Sequence, residues 1–506
     1  MKLSSKKRNY LPAIFPFAMA ALVLLFCSKS SPLFPMNDWV DVNCFFTVGK
    51  SILHGIVPYR DLYEQKGPVL YFMYALAALV SHRSFFGVYL LEVACFGLFL
   101  YYCQKIAGLY LKNSLSIYLT VAVLAAVIPV SPAFAHGGGA EELTLFTLAY
   151  GLYSVLQALH EKRQLTFREA FLNGIFAAMV LYIKFTILGF YIGLVLFVIL
   201  WYLTDRFRWK ELLATAGQFL LGVAAVSAVV FLYFLICGAV DDFLTVYFYN
   251  NLFLYPQETG GTRLELILAC LKATLTRNTS YRLLILGGAL LFAMELRRSW
   301  RDLPMALLTF AGLTAGTYWG GRGYTYYGLI LSVFAVFGIV ALLRVVELLD
   351  IPGLLNRYCK RLVPLLSALV LILSMDFSLI YSYQNSRNLY LASYAKEDLP
   401  AYRFAQTINQ VENARILNYG FLDGGFYYAA DVLPTCEFFC TLNINAPDMW
   451  STQRQCINNG EVDFVITRRY ELSRYSANAD LYTLVDQATF WFEGVDFTYY
   501  LYQKIV

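Results

Sequence analysis

Eleven apolar stretches lie within residues 1–383, at Tyr10–Ser28, Phe85–Cys103, Leu115–Phe134, Leu143–Leu159, Phe167–Ile183, Phe185–Leu203, Leu212–Cys237, Tyr281–Glu295, Leu303–Tyr318, Tyr326–Leu343 and Leu362–Tyr381. A helix needs about 17–25 apolar residues to cross a bilayer. The hydrocarbon holds no water to take up stray backbone N–H and C=O groups, so stretches like these must be helical. Hydrophobic residues make up 59% of the chain and charged residues 14%, against about a quarter charged in a soluble domain. The pattern predicts an α-helical polytopic membrane protein and excludes a soluble globular enzyme. The net charge of +5 encodes orientation rather than affinity for a polyanion, and no nucleic-acid role is expected.

With the N-terminus in the cytoplasm, the inner segments are SKKR, QKIAGLYLKN, HEKRQLTFRE, TDRFRWKE, ELRRSWRD and the run from Arg344 to Arg361, and all of them are basic. The positive-inside rule requires this. The parity holds only if GPVLYFMYALAALV, Gly67 to Val80, does not cross, and fourteen residues are few enough to lie along or dip into the outer face. The expected protein is multi-pass in the plasma membrane, with a cytoplasmic N-terminus and an extracytoplasmic tail. The first span starts like a signal peptide, but CSKSSPLFPMND offers no small-residue cleavage site, so the span is expected to stay as an anchor.

After about Tyr383 polar residues return, and residues 384–506 read as a small α/β extracytoplasmic domain. Strand-like runs ARILNYG, VDFVITRR and FTYYLYQKI accompany a helical signal at Pro400–Val411. Most of the ten Cys residues sit in apolar spans, where a thiol behaves as a small apolar group. Cys436, Cys440 and Cys456 fall in the tail, where three thiols allow one disulfide and their spacing fixes no pairing. There is no internal repeat or low-complexity tract.

The loop after the first span gathers Asp38, Asp41, Asp61, Glu64 and Lys66 between Pro35 and Tyr71. Ionisable groups held against a membrane are costly to desolvate and tend to mark function. Other outward loops add Glu141 and Glu142 in HGGGAEELTLF, the polar run from Asp241 to Arg263, Arg322 in YWGGRGYTYYG, and Lys184 at the tip of LYIKFTIL. Acids and cations on one face, with little in the hydrocarbon besides Glu92, point to an interfacial site rather than a conduction path. His136 has no partners for a ligand cluster, since the chain holds only four His. No metal site and no cofactor are expected, a carboxylate-bound divalent ion being the alternative.

The run DVNCFFTVGKSILHGIVPYRDLYEQKGPVLY resembles the first external loop of the multi-span lipid-dependent glycosyltransferases, the GT-C superfamily of protein O-mannosyltransferases and aminoarabinose transferases. Its acid-led helix motif is matched by Asp41, Phe45, Gly49 and Lys50, and its acid-x-Lys-(Pro/Gly)-Pro-Leu element by Glu64, Lys66, Gly67 and Pro68. Gly67 replaces the commoner Pro, and YTYYG, with Tyr326 and Tyr327, stands where many relatives carry His-Tyr. The resemblance implies a GT-C-like fold with external juxtamembrane helices. It also implies inverting transfer of a sugar from a polyprenyl-phosphate donor to a cell-surface glycan, lipid or protein on the outer face. Asp41 would be the general base, since a carboxylate within reach can take the acceptor proton. Asp38, Glu64, Lys66, Glu141, Glu142, Lys184, Arg322, Tyr326 and Tyr327 would bind substrate, and the cations among them would meet the charge developing on the leaving phosphate.

Each residue also has a plainer reading. Asp41 or Asp38 would serve as N-cap of a helix from Val42 to His54. Glu64 and Lys66 would form an exposed ion pair worth under about 1 kcal/mol. Glu141 and Glu142 suit the start of a helix, Lys184 would snorkel to the surface, and Glu92 would pair inside the bundle. The aromatic content of 17% is first an interfacial belt and second a sugar-stacking surface. In the tail, Asp448, Trp450 and Arg454 are candidate acceptor contacts. The competing function is a flippase or transporter of a lipid-linked sugar or small polar solute. That reading expects charged or Gly/Pro-broken segments at the bilayer midplane, often in duplicated halves, and the sequence displays neither. A polymerase of lipid-linked oligosaccharides shares the substrate class.

Overall fold

The computed structural model describes residues 11–205, 209–254, 262–349, 362–444, 446–475, 478–492 and 494–505. The basic segment SKKR, the middle of TDRFRWKE and most of the run from Arg344 to Arg361 lie outside the described residues. The helices are α1 (Leu11–Cys27), α2 (Val40–Ile52), α3 (Pro68–Val80), α4 (Phe86–Tyr110), α5 (Ser114–Val127), α6 (Ala140–His160), α7 (Phe167–Lys184), α8 (Gly189–Thr204), α9 (Trp209–Ile236), α10 (Val240–Phe243), α11 (Arg263–Arg277), α12 (Thr279–Ser299), α13 (Asp302–Tyr318), α14 (Ala335–Leu348) and α15 (Leu362–Asn385). Among the described residues six helical stretches are long and apolar enough to cross a membrane: Phe86–Tyr110, Phe167–Thr204, Trp209–Ile236, Thr279–Ser299, Thr325–Leu348 and Pro364–Asn385. Shorter apolar helices run at Ala13–Cys27, Pro68–Val80 and Ser114–Val127.

Three expected boundaries move. The stretch expected to run to Phe134 leaves the helix at Val127, because Pro129 has no N–H to give and its ring would collide with the preceding turn. The stretch from Tyr326 begins as tight 3-10 turns over Thr325–Phe334 before α14. The polar run from Asp241 to Arg263 is helical over its first part, where α10 passes into a π-helical segment, Leu244–Leu254.

Polar contacts sort the helix ends. At one end of the bundle, Asp302 at the start of α13 accepts from Tyr110 (2.7 Å) and lies 2.8 Å from His160 Nε2. Arg301 pairs with Asp205 at 2.8 Å, Arg344 faces Glu295 at 3.7 Å, and Glu347 takes the Asn113 N–H at 2.8 Å. The described parts of the basic loops thus share one end. At the other end, Lys29 N–H donates to the His136 carbonyl (2.9 Å) and Asn388 bridges to Ala135 (3.0 Å). Both ends of α3 lie there too. Gly67 N–H donates to Ile183 at the end of α7 (3.1 Å), and the Arg83 carbonyl accepts from Tyr428 of the C-terminal portion (3.1 Å). Helix α3 therefore does not traverse the bundle.

Small residues set the helix spacing where α8 meets α13. A methyl group on Gly189 would overlap the Gly312 carbonyl, and one on Gly316 would overlap that of Thr186. Backbones pack this closely in membrane bundles only where side chains are minimal.

After α15 the chain forms α16 (Pro400–Ile408), β1 (Ile416–Tyr419), α17 (Phe426–Ala430), α18 (Met449–Asn458), β2 (Phe464–Arg468), β3 (Tyr482–Phe492) and β4 (Val495–Lys504). The sheet order is β1-β2-β4-β3, with β1 parallel to β2 in register Ile416 to Phe464 and the remaining pairs antiparallel. Cys436 and Cys456 form a disulfide, while Cys440 stays reduced and buried, its Sγ 3.7 Å from Cys44 Sγ on α2. This layer sits on α2 and the loop after it. Thr47 donates to Asp423 (2.8 Å), Lys50 pairs with Asp431, and Tyr63 stacks on Phe438 with ring centroids 4.7 Å apart.

Candidate active site

Helix α2 begins at Val40 with Trp39 at the cap and no side-chain cap bond. Asp41 therefore lies one residue inside the first turn, and neither it nor Asp38 caps the helix. Its half-buried carboxyl faces Tyr326, whose hydroxyl donates to Asp41 Oδ2 at 3.4 Å. Burial pushes this acid above its ordinary value of 3.8; Lys66 pulls it down, Glu64 and Glu141 push it up, and Lys184 pulls it down. The balance leaves a carboxylate that is more basic than usual and held among charges of both signs.

Loop and helix geometry deliver each neighbour. Glu64 is buried and takes the Lys66 N–H (2.8 Å) and the Tyr71 hydroxyl from α3, which fixes the turn that presents Lys66. Lys66 Nζ lies 5.8 Å from the Phe45 ring centroid on α2. Gly67 explains its own departure from Pro: its N–H is spent on Ile183 and a side-chain methyl would collide with the Tyr182 carbonyl. Glu141, in the first turn of α6, forms a buried ion pair with Lys184 at the end of α7. Lys184 Nζ sits 3.4 Å from the Tyr327 ring centroid and 5.6 Å from that of Tyr326. Together these contacts bring Asp41, Glu64, Lys66, Glu141, Lys184, Tyr326 and Tyr327 into one constellation.

Lys66, Lys184, Arg322 and Tyr327 line a cavity of about 490 Å³. Most of its remaining wall is apolar, supplied by residues such as Leu188, Ile192 and the glycine contact between α8 and α13, with Gln65, Thr186, Asn251 and Thr317 adding polar groups. Cations in the wall of a largely apolar cavity suit an amphiphile with an anionic head. The π-helical segment supports the cavity from outside the predicted site: Asn251 donates to the Gln65 carbonyl (2.7 Å) and Asn250 to the Tyr63 hydroxyl (2.8 Å). The Asn-Asn pair inside the aromatic run LTVYFYNNLFL was the available signal.

Two candidates point elsewhere. Asp38 is buried in an ion pair with Lys29 and accepts from Tyr390 at 3.2 Å. Glu142 takes the Gly138 N–H (2.8 Å), closing the glycine turn before α6. Glu92 accepts hydrogen bonds from Ser28 and Ser30 and is fully buried, as its place inside the bundle suggested. Among the described residues no group of His, Cys, Asp and Glu is arranged to hold a metal ion.

The helical bundle, the external helices α2 and α3 and the small terminal sheet together define a GT-C-like membrane protein. The fold is that of ArnT, the aminoarabinose transferase. The structure of ArnT from Cupriavidus metallidurans bound to undecaprenyl phosphate superposes with a TM-score of 0.60 at 14% identity, covering 96% of this chain and 97% of that one. The apo state of ArnT from the same organism gives 0.59 at 12% identity over the same shares of the two chains. No protein-family model and no curated protein matches the sequence.

Proposed function

We propose that the chain is an inverting glycosyltransferase that moves a sugar from a polyprenyl-phosphate donor to a cell-surface acceptor on the outer face of the membrane. The observation that carries this reading is that Lys66, Lys184 and Arg322 line one largely apolar cavity, two of them close enough to act on a half-buried, raised-pKa Asp41. The undecaprenyl phosphate bound to one structural neighbour supports the donor class.

In the proposed reaction the acceptor hydroxyl gives its proton to the Asp41 carboxylate as its oxygen attacks the anomeric carbon. The bond from that carbon to the phosphate oxygen breaks on the opposite face, and its electron pair leaves with the polyprenyl phosphate. Lys66 and Arg322 stabilise the charge that accumulates there. Lys184 is held by Glu141 and Tyr327, so its charge is fixed in place before the reaction rather than recruited during it.

The test is transfer from a radiolabelled polyprenyl-phosphate sugar by the purified full-length protein. Asp41→Asn is expected to lose about 10²–10⁴-fold in rate while still binding the donor lipid. Because the base works only when deprotonated, wild-type rates should fall as pH drops through the raised Asp41 pKa. Undiminished transfer by Asp41→Asn would remove Asp41 from the mechanism.

A further inference from the structure

A second cavity, of about 580 Å³, opens on the far side of Tyr326. Tyr326 and Tyr327 stand edge to face, 5.1 Å apart, with Tyr327 lining the groove that holds Lys66 and Lys184 and Tyr326 lining this other chamber. Trp39 continues the partition, 5.3 Å from Tyr326 and stacked at 4.9 Å on His136, another wall of the chamber. Asp41 accepts from the hydroxyl of Tyr326, which lines this chamber, and feels the charges of Lys66 and Lys184, which line the groove, so it lies near both spaces. A base that receives a proton from one substrate while the other departs on the opposite face requires such a placement.

The chamber's chemistry differs from the donor groove. Its outer wall is Trp491, at the end of β3, 40% exposed and edge-on to Tyr390 at 4.9 Å. Exposed aromatic faces suit the apolar faces of a sugar ring. Two cations line it. Lys29 is neutralised by Asp38 and tied to the Tyr390 hydroxyl at 3.1 Å. Arg387 is exposed, and no ion pair or hydrogen bond engages its guanidinium among the described residues. A guanidinium presents a fork suited to phosphate or carboxylate.

We propose that this chamber is the acceptor site and that it takes a saccharide carrying an acidic substituent, with Trp491 and Tyr390 against the ring and Arg387 on the acid. The proposal rests on the transferase reading above, and it assigns acceptor recognition to the β3 end rather than to Asp448, Trp450 and Arg454.

The experiment measures binding by the full-length protein in nanodiscs, with glucose 1-phosphate, glucuronic acid, methyl glucoside and inorganic phosphate as probes, and with undecaprenyl phosphate titrated separately. At least one acidic sugar should bind ten times or more tightly than both methyl glucoside and inorganic phosphate, and whichever does so identifies the acid. Arg387→Ala and Trp491→Ala should each weaken that binding about tenfold, Arg387→Lys should keep most of it, and undecaprenyl phosphate should bind all three variants as it binds the wild type. If the lipid binds but acidic sugars bind no better than methyl glucoside, or both alanine variants leave their binding intact, the acceptor assignment fails and the donor reading survives. Inorganic phosphate binding as tightly as the sugar would make the chamber an anion site and overturn the saccharide assignment. If undecaprenyl phosphate itself does not bind, the transferase reading and the acceptor assignment fall together.

Discussion

Two acids with raised pKa values separate what the sequence made visible from what it hid. Asp41 stands out in the sequence because it opens a spaced motif, and burial with Glu64 and Glu141 nearby gives it the raised basicity that its proposed role would need. Asp423 carried no signal, yet it is fully buried where the C-terminal layer meets α2, and burial pushes it from 3.8 up to about 6 against bonds from Thr47, Gly425 and Asn418. The protonated form favours the folded state, so its contribution is complete below pH 3.8 and is lost as pH rises through about 6. A difference of about 2 in pKa corresponds to about 3 kcal/mol. Replacing Asp423 with Asn keeps the shape and removes the titration. The stability gap between Asp423→Asn and wild type, followed by thermal unfolding of the full-length protein, should therefore shift by about 2 kcal/mol in the variant's favour between pH 4 and 7. A gap that stays constant over that range would show that Asp423 does not titrate there. Asp38 teaches the opposite lesson: a conspicuous acid in a charged loop proved to be neutralised by Lys29, which sequence spacing alone does not reveal.

Among the elements, those with long hydrophobic runs were legible and those shaped by local contacts were not. Helices α4, α7, α9 and α15 fall where apolar length places them, whereas α5 stops at a proline that the apolar run concealed. Helix α11 went unseen although Thr262 and Glu265 form a capping box at its start, a signal readable without any structure. Strand β3 was also missed, because TLVDQATFWF mixes polar and aromatic residues on a largely solvent-facing edge strand. The contact of α8 with α13 was invisible because glycines carry no pattern of their own; only the partner backbone gives Gly189 its meaning. Gly189→Val should lower stability by about 1–3 kcal/mol and distort the proposed donor groove that Gly189 lines. Gly217, on α9, has open space where a side chain would begin, so Gly217→Ala should be neutral or gain up to about 1 kcal/mol from helix propensity. Equal thermal shifts for the two variants would contradict the packing argument.

At the scale of the molecule the decisive inference is sidedness. The basic loops fall on one side of the membrane only if α3 does not cross. The polar contacts independently collect the described parts of those loops at one end and both ends of α3 at the other. The disulfide Cys436–Cys456 adds a third line of reasoning, since such bonds persist in oxidising compartments, which supports the proposal that the C-terminal layer and the candidate site face outward. Site-directed labelling tests the whole arrangement at once. In a background with the half-buried Cys237 and Cys270, and Cys359 in the basic run from Arg344 to Arg361, replaced by Ser, single cysteines would be placed at the exposed positions His54, His82, Glu161 and Ser451. A membrane-impermeant maleimide applied to right-side-out vesicles should label His54→Cys, His82→Cys and Ser451→Cys, and should reach Glu161→Cys only after detergent. The pair flanking α3 is the critical comparison. Labelling of His54→Cys without His82→Cys would mean that α3 crosses, which would invert every later loop and carry Glu141, Lys184 and Arg322 to the side opposite Asp41. A catalytic cluster drawn from both loops could not then exist, so this one pair of cysteines tests the topology and the site together.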